Sequence, residues 1–250
     1  MIDVRRAGDR FTTTTAGLES RHSFSFGPHY DPANVSFAVL VAHNDDVVAA
    51  GHGYGTHPHT DLEIVTWMLE GSLVHQDSRG HAGVLRPQEV QRLSAGSGVL
   101  HSERNDAAGS RGPTRFVQMW LRPDEPDLDP SYDQQEVGLA SGLVPIVSGI
   151  RSLDAPVRIH VAGAALHVAR LGPAESASLP EARLLHVFVA RGAVHLDGAG
   201  RLDEGDAARL TDEGGPAVTA IADAEVLVWQ LPDSGPSGPS GQGRWSRPAP

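Results

Sequence analysis

The segment from Gly51 to Trp67 carries two histidines, His57 and His59, that stand two residues apart. On an extended chain, side chains at positions i and i+2 point to the same face, about 6.6 Å apart along the backbone. Pro58 lies between them and favours an extended local backbone. The spacing therefore predicts that the two imidazoles converge on one metal ion.

A second segment, Ala95 to Asn105, repeats this arrangement with His101 and Glu103. Together the two segments supply three imidazoles and one carboxylate, which suits a mononuclear centre with positions open for substrate or O₂. The chain has 13 histidines and no cysteine, so a transition-metal site must be built from histidine and carboxylate. Iron, manganese, nickel, copper and zinc all accept such donors.

The spacing alone is weak evidence, because 13 histidines in 250 residues give about 0.7 His-x-His pairs by chance. The residues around the two histidine pairs carry more weight. Glycines precede both pairs, an acid follows the first, and an asparagine follows the second. These residues are Gly51, Glu63, Gly96, Gly98 and Asn105.

This combination resembles the two metal-binding motifs of the cupin superfamily. Within that superfamily, HPHTDLEIVTWMLEGSLVHQDSRG and RPQEVQRLSAGSGVLHSERN are similar to the pirin family, especially its bacterial quercetin 2,3-dioxygenase-like members. The resemblance extends from Arg21 to Pro123 and weakens in the second half. Its most specific element is His101-Ser-Glu103, because most cupins lack a glutamate there. The chain departs from the family at Gln88, where a glycine is usual, and a slightly different turn is expected.

The resemblance implies that the metal ligands are His57, His59, His101 and Glu103. It implies one divalent transition metal ion, with Fe(II) expected first and Mn, Ni, Co, Cu or Zn left open. Glu63 occupies a position where many other cupins have a ligand. In pirins it is not one, so a packing or supporting role is expected.

The activity implied is that of a quercetin 2,3-dioxygenase. In this reaction the deprotonated 3-hydroxyl of a flavonol binds the metal, and O₂ opens the ring with loss of carbon monoxide. Glu103 would then be both a ligand and the base that takes the hydroxyl proton. The alternative implied by the same family is a regulatory protein without turnover, whose metal governs binding to transcription factors or metabolic enzymes.

Other histidines of the chain suggest two further interpretations. His75, Asp77 and Ser78 have the residue types of a hydrolytic triad, but triad partners usually come from separate segments, so this reading is rejected. His22 or His29 is a candidate for the edge of the pocket. Large apolar side chains such as Trp120 are expected in the core, with some lining the pocket.

Short apolar strands broken by glycine, proline and aspartate must position these residues. They are Ser36 to His43, Leu62 to Gly71, Arg115 to Leu121, Leu184 to Gly192, and Ala224 to Leu231. Long stretches with helical periodicity are missing, which predicts an all-β protein of barrels or jelly rolls. The two halves echo each other, and the resemblance implies a bicupin with two jelly-roll domains.

The predicted domains are a metal-binding cupin over residues 1–140 and a cupin-like domain without metal over residues 141–232. Residues 233–250 are rich in Gly, Ser and Pro and predict a disordered tail. The Pro- and Asp-rich stretch Leu121 to Val137 is interpreted as the connector.

The negative net charge of the chain limits the classes of molecule that it is expected to bind. The chain has 31 acidic and 20 basic residues and a net charge of −11, which would repel phosphate backbones and anionic membranes. We therefore expect no direct nucleic-acid or membrane binding. A small flavonol-like substrate with O₂, and a possible protein partner, are the expected partners. The sequence lacks both a long apolar run and a signal-like N-terminus, which predicts a cytoplasmic protein, expected to be a monomer.

Overall fold

The computed structural model describes residues 1–106, 112–139 and 141–233. These residues form 22 strands and one short 3₁₀ helix, Ala7–Asp9, which confirms the all-β class. Within this part of the chain, no helix is long and apolar enough to cross a membrane. The predicted tail lies outside the described residues from Ser234 onward.

The strands of the first half are β1 (Ile2–Arg5), β2 (Phe11–Thr15), β3 (Leu18–His22), β4 (Leu40–Val48), β5 (Gly53–His59), β6 (Glu63–Glu70), β7 (Leu73–Asp77), β8 (Ala82–Leu85), β9 (Glu89–Ser94), β10 (Val99–Asn105), β11 (Thr114–Leu121) and β12 (Ser131–Glu136). Those of the second half are β13 (Leu143–Ser148), β14 (Val157–Arg158), β15 (Ala165–Leu171), β16 (Ser176–Ser178), β17 (Leu184–Arg191), β18 (Ala193–Leu196), β19 (Gly200–Asp203), β20 (Ala207–Thr211), β21 (Ala217–Ala220) and β22 (Ala224–Leu231).

The chain divides into two compact units, of which one spans Phe11–Glu136 in the described residues. Its first sheet has seven antiparallel strands in the order β12-β9-β6-β11-β4-β3-β2. Its second sheet has four antiparallel strands in the order β5-β10-β7-β8. Trp67, Phe116 and Met119 are among the largest fully buried side chains, so the unit has a substantial apolar core of its own.

The other unit combines Met1–Arg10 with Val137–Asp233. Its sheets have the orders β1-β20-β17-β22-β15-β13-β14 and β16-β21-β18-β19. Buried aliphatic residues such as Leu185, Val187 and Val228 form its core. The domain bounds predicted from the sequence place residues 1–10 in the N-terminal domain. In the structure β1 pairs with β20 of the other unit's sheet, with Ile2 opposite Leu210.

Four of the five predicted strands coincide with β6, β11, β17 and β22 to within one residue at each end. The fifth begins later than expected, at Leu40 rather than Ser36. Phe37 and Leu40 exchange backbone hydrogen bonds around Ala38, whose φ is 51°, and this tight turn precedes the strand. The predicted connector is also not wholly a loop, because it contains β12, which pairs with β9.

Candidate metal centre

The candidate ligands lie on neighbouring strands of the four-stranded sheet. His57 and His59 are on β5, and His101 and Glu103 are on β10. His101 pairs directly with His57, whereas Glu103 pairs with Tyr54. Between these two pairs, two residues of β5, Gly55 and Thr56, face the single residue Ser102 of β10, which defines a β-bulge.

Gly53 allows the two strands to approach each other beside this bulge. Its φ is 153°, and a Cβ built there would clash with the carbonyl oxygen of Glu103 and lie 2.6 Å from the Cα of Arg104. Only glycine fits this backbone without displacement. Gly53 therefore allows the close packing of β5 against β10 at the candidate site.

Three imidazoles meet at this point. The ligating nitrogens of His57, His59 and His101 all lie within 4.8 Å of one another. His101 is buried, and the other two histidines are partly exposed, so this group of nitrogens borders solvent on the β5 side. The i, i+2 spacing in β5 does bring its two rings to a common point, with ring centroids 4.8 Å apart.

Hydrogen bonds determine which nitrogen of His57 carries a lone pair. His57 Nδ1 donates to the carbonyl oxygen of Gly55 at 2.7 Å, so its Nε2 is an acceptor. The Nε2 atoms of His57 and His101 are 3.0 Å apart, which makes His101 Nε2 the donor in this contact. His59 Nε2 is buried and has no hydrogen-bond partner among the described residues.

The site disfavours charged imidazolium. Burial lowers the pKa of His59 to about 3, helped by the neighbouring His101 and His57. Burial also lowers the pKa of His101 to about 3, with further contributions from His57 and His75. Neutral imidazoles with converging, poorly satisfied nitrogens are the form that a divalent transition metal binds, so the donor set fits such an ion.

Glu103 is held by two amides that come from the other sheet of this unit. Gln91 Nε2 donates to one carboxylate oxygen at 3.1 Å, and Gln118 Nε2 donates to the other at 2.7 Å. Trp120 donates to the amide oxygen of Gln118 at 2.9 Å, and the Tyr132 hydroxyl shares its one proton between the amide oxygens of Gln134 at 2.9 Å and Gln91 at 3.1 Å. The amides can therefore present only their N–H groups to Glu103, and we call this arrangement the amide clamp.

His75 lies beside the candidate ligands, although the sequence did not predict it as one of them. It lies opposite Glu103 on β7, and Asp77 lies opposite His101. His75, His101 and Glu103 form a second group whose ligating atoms lie within 4.8 Å of one another. The sequence could have indicated this position, because His75 and Asp77 share the i, i+2 spacing of the other two pairs.

Asp77 is a buried acceptor for several groups. His81 Nδ1 lies 2.9 Å from it, and the backbone amides of Arg79 and His81 donate to it at 2.8 and 3.0 Å. Burial opposes ionisation, but these hydrogen bonds together lower the pKa of Asp77. Ser78 exchanges hydrogen bonds with the backbone of Leu100, so a hydrolytic triad is not formed.

A second acid lies behind the site. Asp46 on β4 is 1% exposed, and burial raises its pKa to about 7, with repulsion from Asp45 and Glu103 adding to the effect. Burial, together with the charge of Asp46, raises the pKa of Tyr54 well above its usual value.

The remaining candidates take supporting positions. Glu63 accepts a hydrogen bond from Ser94 at 2.9 Å and belongs to neither group of converging donors. The Trp120 ring packs edge-on against His59 at 4.8 Å, so an aromatic side chain does border the histidines. Both donor groups lie in the unit Phe11–Glu136.

Comparison with known proteins shows the same organisation. The sequence model of the Pirin family matches residues 4–121, and that of the quercetinase C-terminal cupin domain matches residues 148–231. A Mycobacterium tuberculosis protein named putative quercetin 2,3-dioxygenase is 50% identical over 92% of this chain and 95% of its own. Quercetin 2,3-dioxygenase of Escherichia coli (strain K12) is 34% identical over 93% of this chain and 99% of its own.

A solved structure supports the bicupin architecture. The bacterial pirin YhhW of Escherichia coli, in complex with nickel(II), superposes with a TM-score of 0.85 at 34% identity. The match covers 93% of this chain and 99% of the other. The expected bicupin fold is thereby confirmed.

Proposed function

Because this chain belongs to the pirin family, we propose that it is a metal-dependent dioxygenase that opens flavonols such as quercetin with O₂. The observation that carries the proposal is the meeting of three imidazoles within 4.8 Å, with a buried carboxylate two residues beyond one of them. Relatives that cover almost the whole chain and are named quercetin 2,3-dioxygenase support the reaction class.

His57, His59, His101 and Glu103 are the proposed protein ligands. The Gly55 carbonyl would hold His57 in the tautomer that presents Nε2 to an ion. His101 would present Nε2 in its other tautomer, in which the ring proton has moved from Nε2 to Nδ1. Glu103 lies on the same buried face of β10 as His101, so a small change of its side-chain angles would bring it toward the imidazoles.

A divalent ion would lower the pKa of a bound hydroxyl and would orient the substrate and O₂. The protein's own part is to position groups around the flavonol. Glu103 would take the proton of the 3-hydroxyl on a carboxylate oxygen, after the amide clamp releases one of its donors. Trp120, at the edge of His59, would contact the aromatic rings of the substrate.

We expect Fe(II) to be the native ion. Ni(II) is the first alternative because a related pirin was solved with nickel, and Mn, Co, Cu and Zn remain compatible with the donors. We further propose a cytoplasmic monomer.

The test is O₂ consumption and carbon monoxide release with quercetin, by protein stripped of metal and reloaded with each ion in turn. We expect His101→Ala to lose both metal and turnover while remaining folded, since the unit has its own apolar core. Glu103→Gln should reduce the rate of turnover more than it reduces metal binding. The matched control is His195→Ala, an exposed histidine of the other unit, which should behave as wild type.

Absence of O₂ uptake with every ion would refute the enzymatic proposal. That result, with metal still bound, would favour the alternative of a metal-dependent regulator that binds a protein partner.

A further inference from the structure

We propose that the protein has a second, inner cation position, formed by His75, His101 and Glu103. This inference rests on the proposed function, because His101 and Glu103 are also ligands in the proposed outer position with His57 and His59. The inner position would accept a divalent transition metal with two imidazoles and one carboxylate.

The geometry brings the three inner donors together on one face of the sheet. His75 and Glu103 are direct cross-strand partners on β7 and β10, and His101 is two residues from Glu103. The three ligating atoms lie within 4.8 Å of one another. Donors at about 2.1 Å from one ion in tetrahedral geometry are about 3.4 Å apart, so the three atoms would have to draw together by up to about 1.4 Å.

The lone pairs point to the same conclusion. His101 donates from Nε2 toward His57, which leaves its lone pair on Nδ1. His101 Nδ1 and His75 Nδ1 are both buried and have no hydrogen-bond partner among the described residues. A buried acceptor without a donor costs free energy, and a cation would satisfy both nitrogens together.

A carboxylate orients the extra ligand. His75 Nε2 lies 3.5 Å from the carboxylate of Asp77, which is itself fixed by His81 and two backbone amides. A carboxylate that faces one ring nitrogen and leaves the lone pair of the other for an ion is the usual partner of a histidine metal ligand. His75 also stacks on Tyr132 at 4.7 Å, so its ring plane is held.

The two positions differ in their access to solvent. His75, His101 and Glu103 are each no more than 1% exposed, whereas His57 and His59 are partly exposed. A cation in the inner position would be shielded from substrate, and one in the outer position would be reachable. Because the positions share two ligands, occupancy of one competes with occupancy of the other.

The experiment uses Co(II) as the probe, because its visible absorption reports its donors. The full-length double variant His57→Ala/His59→Ala removes two outer ligands and leaves the inner set complete. We expect it to bind one Co(II) per chain. Adding His75→Leu, which keeps a buried side chain of similar size, should weaken Co(II) binding at least tenfold. Adding His195→Leu instead, at an exposed histidine of the other unit, is the matched control, which should leave Co(II) affinity as in the double variant.

Equal Co(II) affinity with and without His75→Leu would overturn the inner position. If the His75→Leu variant fails to fold, crystals of the double variant soaked in Co(II) decide the question. An anomalous peak in contact with His75 is expected, and its absence would refute the inference. The proposed function is tested separately, by O₂ uptake of the wild-type protein, so the two can fail independently.

Discussion

Asp46 makes a sharp prediction about the pH dependence of stability. Its folded-state pKa is about 7 against a usual value of 3.8, because the side chain is buried beside the negative charges of Asp45 and Glu103. The folded state therefore holds a proton more tightly than the unfolded state. The stability that comes from this proton is complete below pH 3.8 and is lost as the pH rises through 7.

The size of the effect follows from the two pKa values. At 1.36 kcal/mol per pKa unit, the gap between 3.8 and 7 corresponds to a total of about 4.4 kcal/mol. Of this, about 2.6 kcal/mol falls between pH 5 and pH 8. Asp46→Asn has nearly the same shape but cannot ionise, so it should not show this loss.

The assay is urea unfolding of both proteins at pH 5, 6.5 and 8, with a chelator present so that metal binding does not contribute. Relative to Asp46→Asn, the wild type should lose about 2.6 kcal/mol between pH 5 and pH 8. Histidines titrate in both proteins and cancel in the difference. The exposed Asp223→Asn variant should keep the wild-type pH profile. A wild-type-minus-Asn difference that stays constant with pH would refute the reasoning.

Three further predictions concern the site and the other unit. Gln118→Leu removes one donor from the amide clamp and should cost about 1.5–3 kcal/mol in urea unfolding, whereas the exposed Gln135→Leu should cost little. Gly53→Ala should cost about 1–3 kcal/mol from its φ alone and should also weaken Co(II) binding, while Gly55→Ala, with open space around it, should bind normally. Burial, and then the charge of Arg209, lowers the pKa of His186 in the folded state to about 3. As the pH falls, this histidine is therefore protonated in the unfolded state before it is protonated in the folded state. Wild-type stability relative to His186→Gln should therefore fall as the pH drops from 6.5 toward 3, and equal acid profiles in chemical denaturation would contradict this.

The all-β class and four of the five proposed strands could be predicted from the sequence, because their apolar and β-branched residues leave a local signal. The convergence of His57 and His59 was equally accessible, since i, i+2 spacing on one strand fixes which side chains share a face. The strand β12 escaped prediction for the opposite reason. It is an edge strand built from polar residues, so it has no apolar alternation to detect.

The amide clamp could not be predicted in the same way. Gln91 and Gln118 come from β9 and β11, in a different sheet from Glu103, and only three-dimensional pairing brings them to its carboxylate. The β-bulge is likewise a property of register between strands more than forty residues apart. The backbone of Gln88 was also beyond prediction from residue type. Its φ is 72°, the left-handed conformation that glycine favours and that a glutamine does not lead one to expect.

The pairing of β1 with β20 has a consequence for synthesis of the chain on the ribosome. The unit Phe11–Glu136 is continuous among the described residues and can fold as soon as it emerges. Residues 1–10 are made before the unit Phe11–Glu136 but must wait for a partner about 200 residues later, where Ile2 meets Leu210. Closing a loop of that length costs about 5 kcal/mol of chain entropy. Strand β1 is thus held unpaired until β20 has been made, and it completes a sheet whose other strands are all translated after the unit Phe11–Glu136.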